Sequence, residues 1–233
     1  MEKKNENQNK ENVKTNQSKS NSTVELVFIL DASGSMSGME KDTVGGFNSM
    51  IEKQKQLDGK VYVSTVIFSN RSEVLHDREQ LQNILPLTEA DYRVGGCTAL
   101  LDAIGDAIRH ISNVHKYIRK EDVPDKTLFV ITTDGMENAS KKYTYSEIKE
   151  KICRQEEKYG WEFLFVADNI DVVETAENLG IRRDCCASYS VKEDTGVFYE
   201  EMSQAITSCR ETGQVPMGWA DKIQKNTKKN KSK

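Results

Sequence analysis

In the segment FILDASGSMSG (28–38), four residues Phe28–Asp31 run from apolar side chains into an acid, and Ser33 and Ser35 follow at alternate positions. Alternate side chains of an extended segment point the same way, so Asp31, Ser33 and Ser35 project to one side. Gly34 lets the backbone turn between the two serines. Two further oxygen-bearing residues occupy comparable places. Thr98 stands where RVGGCTALLDAI passes from loop to helix, and Asp134 ends TLFVITTD just before Gly135. Parallel strands gather functional groups at their carboxyl ends, which makes Asp31, Ser33, Ser35, Thr98 and Asp134 one candidate cluster. Two carboxylates and three hydroxyls are hard oxygen ligands, suited to Mg²⁺ first and to Mn²⁺ or Ca²⁺ as alternatives. Two converging carboxylates resist joint ionisation without a cation. Neutral hydroxyls leave part of a six-ligand shell open to water or to a partner's carboxylate.

Such a cluster needs strands that end together, and the chain supplies them. VELVFILD (24–31), KVYVSTVIFS (60–69), KTLFVITTD (126–134) and WEFLFVAD (161–168) read as buried strands. SEVLHD suggests a short third strand and CCASYSV a last one. Between them lie helical patterns. The first carries Val44, Phe47, Met50 and Ile51, with Gly59 as its stop. A short helix is expected over 77–85. The longest runs from Thr98 to Tyr117, with Leu100, Ala103, Ile104, Ala107, Ile108, Ile111, Val114 and Ile118 on its apolar face. TYSEIKEKICRQEEKYG turns Ile148, Ile152 and Tyr159 inward. A short helix ends at Leu179–Gly180, and a final one over about 195–211 buries Phe198, Met202, Ala205, Ile206 and Cys209. Strand–helix alternation of this kind predicts an α/β fold, a doubly wound and mostly parallel sheet with helices on both faces.

Composition sets the limits. Residues 1–22 contain only Met1 and Val13 as apolar side chains, and the last twelve, KIQKNTKKNKSK, are mostly Lys and Asn, so 1–22 and 214–233 read as mostly disordered tails around one domain, 23–213. Within the second tail, Met217 and Trp219 are apolar exceptions that dock back onto the domain or meet a partner. The net charge is −4, but the tails carry about +2 and about +5, which leaves the domain near −11. An acidic domain argues against a broad nucleic-acid surface. No run of about 18 apolar residues exists to span a membrane, and no apolar leader opens the chain. Five cysteines without C-x-x-C spacing suit reduced thiols and a cytoplasmic setting.

The set Asp31-Ala32-Ser33-Gly34-Ser35, Thr98 and Asp134-Gly135 resembles the metal-ion-dependent adhesion site of the von Willebrand factor type A domain. The resemblance runs over roughly residues 23–213, and DYRVGGCTALLDAIGDAI is similar to intracellular bacterial members. It implies a six-stranded sheet with one short antiparallel edge strand. It also implies that Ser33 and Ser35 are direct ligands, that Asp31, Thr98 and Asp134 bind directly or through water, and that an Asp or Glu of a protein partner completes the shell. A shift of the last helix would accompany that event. The function expected is a non-catalytic, metal-dependent protein-binding module.

Other chemistries fit less well. Asp31, Ser33, Ser35, Ser37 and Asp42 match an EF-hand loop at five positions, but Met36 replaces its glycine and a strand, not a helix, precedes it. A metal-dependent phosphoryl hydrolase using Asp31, as in the haloacid dehalogenases, wants a second aspartate where Ser33 stands, and a hydroxyl is a poor proton shuttle. The histidines His76, His110 and His115 lack metal spacing. Asp102 suits either the helix N-terminus or a place behind the cation, and Gly45–Gly46 suggest close packing of the first helix on the sheet.

Overall fold

Strand β1 (Thr23–Asp31) is buried along nearly its whole length, the pattern of a strand covered on both faces. In the computed structural model, which describes residues 22–168, 171–189, 191–221 and 223, β1 lies inside a six-stranded sheet of order β3-β2-β1-β4-β5-β6. The others are β2 (Lys60–Phe68), β3 (Ser72–Gln80), β4 (Lys126–Thr133), β5 (Glu162–Ala167) and β6 (Cys186–Ser188). All neighbours pair in parallel except β2 and β3. The α/β fold expected from the sequence is therefore the fold found. The antiparallel edge strand spans nine residues, three more than SEVLHD, and its mostly exposed polar side chains suit an edge.

Helices α1 (Glu40–Lys55) and α5 (Val191–Thr212) pack together, while α2 (Leu100–Tyr117), α3 (Tyr145–Tyr159) and α4 (Val172–Leu179) form a contiguous row. Right-handed crossovers place these two groups on opposite faces. Strand order reverses between β1 and β4, so the switch point lies where Asp31 and Thr133 end their strands.

Several expectations shift in detail. Residues 77–80 are not helical: Glu79 and Gln80 pair with Val63 and Tyr62 of β2, and only a short 3-10 turn follows at Leu81–Asn83. Leu81 and Ile84 are buried from this turn while Leu85 is exposed, so the apolar residues are placed by strand pairing and a single turn. On α3, Ile148 and Ile152 are buried but Tyr159 is not, and Gln155 takes the inward place one turn on. Gly46 packs against α5, not the sheet, because a side chain there would overlap the ring of Tyr199; Gly45 faces open space. The inward residues named for α5 are all buried. Beyond residue 213 the chain still packs: Val215, Trp219 and Ala220 are buried, and Trp219 Nε1 donates to the Asp184 carbonyl at 3.0 Å, while Met217 stays exposed. All five cysteines are free.

A buried ionic group crosses the sheet. Glu25 is fully buried on β1, and Arg78 Nε donates to both its carboxylate oxygens at 2.9 Å. His115 Nε2 lies 2.9 Å from Glu25 Oε2. Arg78 sits in an irregular stretch of β3 with φ of 52°, its N–H bonded to Ser64 Oγ.

Glu156 on α3 is less well served. Its Oε1 is buried without a hydrogen-bond partner, and burial pushes the carboxyl up to about 7, Glu162 and Asp184 adding to the effect and Arg182 opposing it. Between the ordinary glutamate range and about 7, the folded protein keeps a proton that the unfolded chain has lost, so stability falls as pH rises. Glu156→Gln should therefore melt a few degrees above the native protein near pH 8 and close to it near pH 5. Equal melting points at both pH values, read by circular dichroism, would contradict this assignment.

Candidate metal centre

Asp31 ends β1 with its carboxylate turned into a web of donors. Its Oδ1 accepts the Ser33 N–H at 2.7 Å and its Oδ2 the Thr133 hydroxyl at 2.5 Å. Its own carbonyl accepts the buried Tyr92 hydroxyl. Ser33 Oγ and Ser35 Oγ stand 3.0 Å apart, and Ser35 Oγ donates to Asp134 Oδ1 at 2.5 Å. Thr98 joins them across Gly135. A Cβ on that glycine would lie 3.1 Å from both Ser35 Oγ and Thr98 Oγ1, and 3.9 Å from Ser33 Oγ. Three hydroxyls thus surround a space kept open by a missing side chain, with the Asp134 carboxylate beside it. The structure brings all five sequence-selected residues to one place. Asp31, Ser33, Thr98 and Asp134 are buried and Ser35 is exposed, so the cluster meets solvent on the Ser35 side.

Three loops hold this arrangement by bonding to one another. Gly34 N–H donates to the Gly96 carbonyl at 3.0 Å, Gly95 N–H to the Ala32 carbonyl at 2.8 Å, and Ala99 N–H to the Ser69 carbonyl at 2.9 Å. Gly96 has φ of 82° and its absent side chain makes room for the Asn70 amide, whose oxygen accepts the Cys97 N–H. Only glycine meets both demands at that position.

The loop after β4 grips Thr98 from the other side. Asn138 Oδ1 accepts the Thr98 N–H at 2.9 Å, and Asn138 N–H donates back to the Thr98 carbonyl at 3.1 Å. Helix α2 has no side-chain cap of its own. Glu137 supplies one from afar: its Oε2 accepts the Leu101 N–H at 3.0 Å, and its Oε1 accepts the N–H groups of Ala139 and Ser140. Ser140 Oγ accepts the Asp102 N–H. Asp102 in turn accepts the N–H groups of Lys141, Lys142 and Tyr143, which makes it the anchor of that loop. Thr133, Glu137 and Asn138 escaped the sequence reading. The only signal was their place next to Asp134, in TTDGMEN.

Electrostatics favour a cation here. Burial raises the carboxyl of Asp31 above the usual aspartate range, partly offset by the Thr133 and Ser33 donors. Burial also raises Asp134, helped by the negative charges of Asp31 and Asp168. A positive charge between them would favour both ionised forms. Among the described residues no three His, Cys, Asp or Glu side chains gather as a metal group. The donor set that fits is this mixture of two carboxylates with three hydroxyls, hard oxygens of the kind that Mg²⁺-like ions take.

No protein-family model matches the sequence, and no curated protein matches it. Solved structures do match in fold. Proximal thread matrix protein 1 from the mussel byssus is 12% identical with a TM-score of 0.53, over 78% of this chain and 46% of that one. A von Willebrand factor type A structure from Catenulispora acidiphila is 14% identical with a TM-score of 0.53, over 79% and 42%. The vWF domain of the type V pili tip protein Mfa5 from Porphyromonas gingivalis is 9% identical with a TM-score of 0.56, over 80% and 95%. The chain spans less than half the length of the first two. A further structure of the mussel protein, 15% identical with a TM-score of 0.50, has a zinc-occupied MIDAS motif. These likenesses establish a von Willebrand factor type A fold.

Glu137→Ala should remove the borrowed cap of α2 and cost about 1–2 kcal/mol of stability, read as a lower urea midpoint at unchanged slope. An unchanged midpoint would mean that the Leu101 N–H finds another acceptor.

Proposed function

We propose that this chain is a non-catalytic protein-binding module in which Asp31, Ser33, Ser35, Thr98 and Asp134 hold a divalent cation, Mg²⁺ foremost, that engages an Asp or Glu side chain of a protein partner. The observation that carries this reading is the space beside Gly135, ringed by the hydroxyls of Ser33, Ser35 and Thr98 and closed by Asp134. The cation, when bound, supplies a hard positive charge with a position left for an incoming carboxylate. The chain's own residues do the rest. Thr133 and the Ser33 N–H orient Asp31, Asn138 fixes Thr98, and Ser35, the exposed member, lies on the side from which a partner arrives. A fold shared with a protein that carries a zinc-occupied MIDAS motif supports the same reading.

Residues 23–213 form the binding unit in this proposal, with Val215, Trp219 and Ala220 of the following Lys-rich segment packed on it and a cytoplasmic setting suited to five free cysteines. Among the described residues no helix is long and apolar enough to cross a membrane. A hydrolase built on Asp31 is disfavoured because Ser33 stands where a proton-transfer acid would be needed.

Mg²⁺ that binds only the folded state should raise its stability by about 2.7 kcal/mol at a hundredfold excess over Kd. Differential scanning calorimetry should show that rise for the native protein and none for Asp134→Ala; an equal rise in both would sink the ligand assignment. Partner capture completes the test. A partner retained from lysate by the native protein with Mg²⁺, and lost with EDTA or with Ser33→Ala, is the expected result. Capture indifferent to both changes would move recognition to another surface.

A further inference from the structure

At the opposite edge of the sheet from the candidate metal centre, a cavity of about 500 Å³ opens between the carboxyl-terminal halves of α2 and α3. It lies by the amino ends of β4 and β5, where Pro124 and Trp161 stand just before their strands. Its apolar wall is aromatic. Trp161 is buried, stacked on Phe129 with ring centroids 5.3 Å apart, and meets His115 edge-on at 5.5 Å. His115 is itself tied to the buried Glu25.

The charges around this cavity are of one sign. Arg109, Lys116, Lys151 and Arg154 line it with no Asp or Glu among the lining residues. Arg109 is paired with Asp106, and Lys116 and Lys151 lie over the rings of Tyr117 and Tyr143. Arg154 has no hydrogen-bond or ion-pair partner among the described residues. In a domain whose charge is near −11, a cationic hollow without a carboxylate runs against the bulk composition. Two lining residues also carry buried oxygens without partners, Ser112 Oγ and Gln155 Oε1. Such groups are rare in folded proteins and call for an explanation.

We propose that this cavity binds a small amphipathic anion, its apolar body against Trp161 and Ile108 and its single carboxylate, sulfonate or phosphate group held by Arg154 and Lys151. The volume falls in the range of small-molecule pockets, and an apolar wall with a few convergent polar groups is their usual make-up. Guanidinium groups are well suited to such oxyanions. The chain's own amino-terminal segment begins nearby, since Thr23 N–H donates to Asp125 Oδ2 at 2.8 Å. It is a poor occupant, because residues 1–22 carry five Lys against three Glu and only two apolar side chains.

The test titrates the full chain with 8-anilinonaphthalene-1-sulfonate and, separately, with N-phenyl-1-naphthylamine, which has a similar ring body and no charge. One saturable site for the sulfonate, tighter than for the neutral probe, is expected. In the double variant Lys151→Gln, Arg154→Gln the sulfonate should weaken by about tenfold, while the neutral probe changes little. Both residues lie at the surface of α3, and circular dichroism checks that the fold is kept. Asn113→Trp, which plugs the mouth from α2, should exclude both probes. Equal binding of the two probes, a sulfonate affinity unmoved in the double variant, or retention of both by Asn113→Trp would each overturn the proposal. None of these readings depends on Mg²⁺, so failure here leaves the metal-centre reading standing.

Discussion

Two carboxyl groups buried side by side at the switch point of the sheet are the constraint around which the carboxyl edge is built. Asp31 ends β1 and Asp134 directly follows the neighbouring β4, and both are almost wholly removed from water. A buried carboxylate without donors costs several kcal/mol, so nearby hydroxyl and N–H groups are recruited. Ser33 and Thr133 serve Asp31, and Ser35 serves Asp134. Ser33 and Ser35 lie in the loop after β1 and Thr133 ends β4, so these two segments must be held in register with each other. The cross-loop bonds of Gly34, Gly95 and Ala99, and the grip of Asn138 on Thr98, are the result.

What could be read from the sequence was whatever is local or periodic. The strands announced themselves as short apolar runs, the helix faces as repeats, and D-x-S-x-S as a cluster because its members are two residues apart. The supporting shell is neither local nor periodic. Thr133 lies 102 residues from Asp31, Glu137 lies 36 from Leu101, and Asn138 lies 40 from Thr98. Their roles exist only once the sheet has assembled. The same cause accounts for residues 77–80, where pairing with β2 overrode a helical reading. It accounts too for Gly46, whose missing side chain is explained by Tyr199 on a helix far along the chain. On α3, periodicity pointed to Tyr159, but the buried Trp161 just beyond the helix covers that part of the sheet instead.

The two edges of the sheet have opposite character. At the carboxyl ends of the strands, two acids and three hydroxyls gather around a glycine. At the amino ends, cations surround an aromatic floor. Strand direction alone separates them, since a parallel sheet presents all its strand ends of one kind on one side. The solved structures that share the fold are 9–15% identical to this chain, so the architecture tolerates nearly complete replacement of its side chains. Chemistry at either edge is then a property of the particular residues placed there.

The buried group of Glu25, Arg78 and His115 bears on how the edge strand finds its place. Pairing between β2 and β3 leaves Asp77 and Arg78 out of the regular register, opposite Ser64, and a bulge of this kind re-aims a side chain. Arg78 is thereby sent over the ring of Tyr62 to Glu25 in the core. Because side chains alternate along a strand, sliding β3 by a single residue would turn the guanidinium outward and strand an anion in the interior. A polar, solvent-facing ribbon has little hydrophobic pattern to tell one alignment from the next. Here the buried pair of Arg78 and Glu25 favours one alignment, and works as a key cut for one setting of the lock.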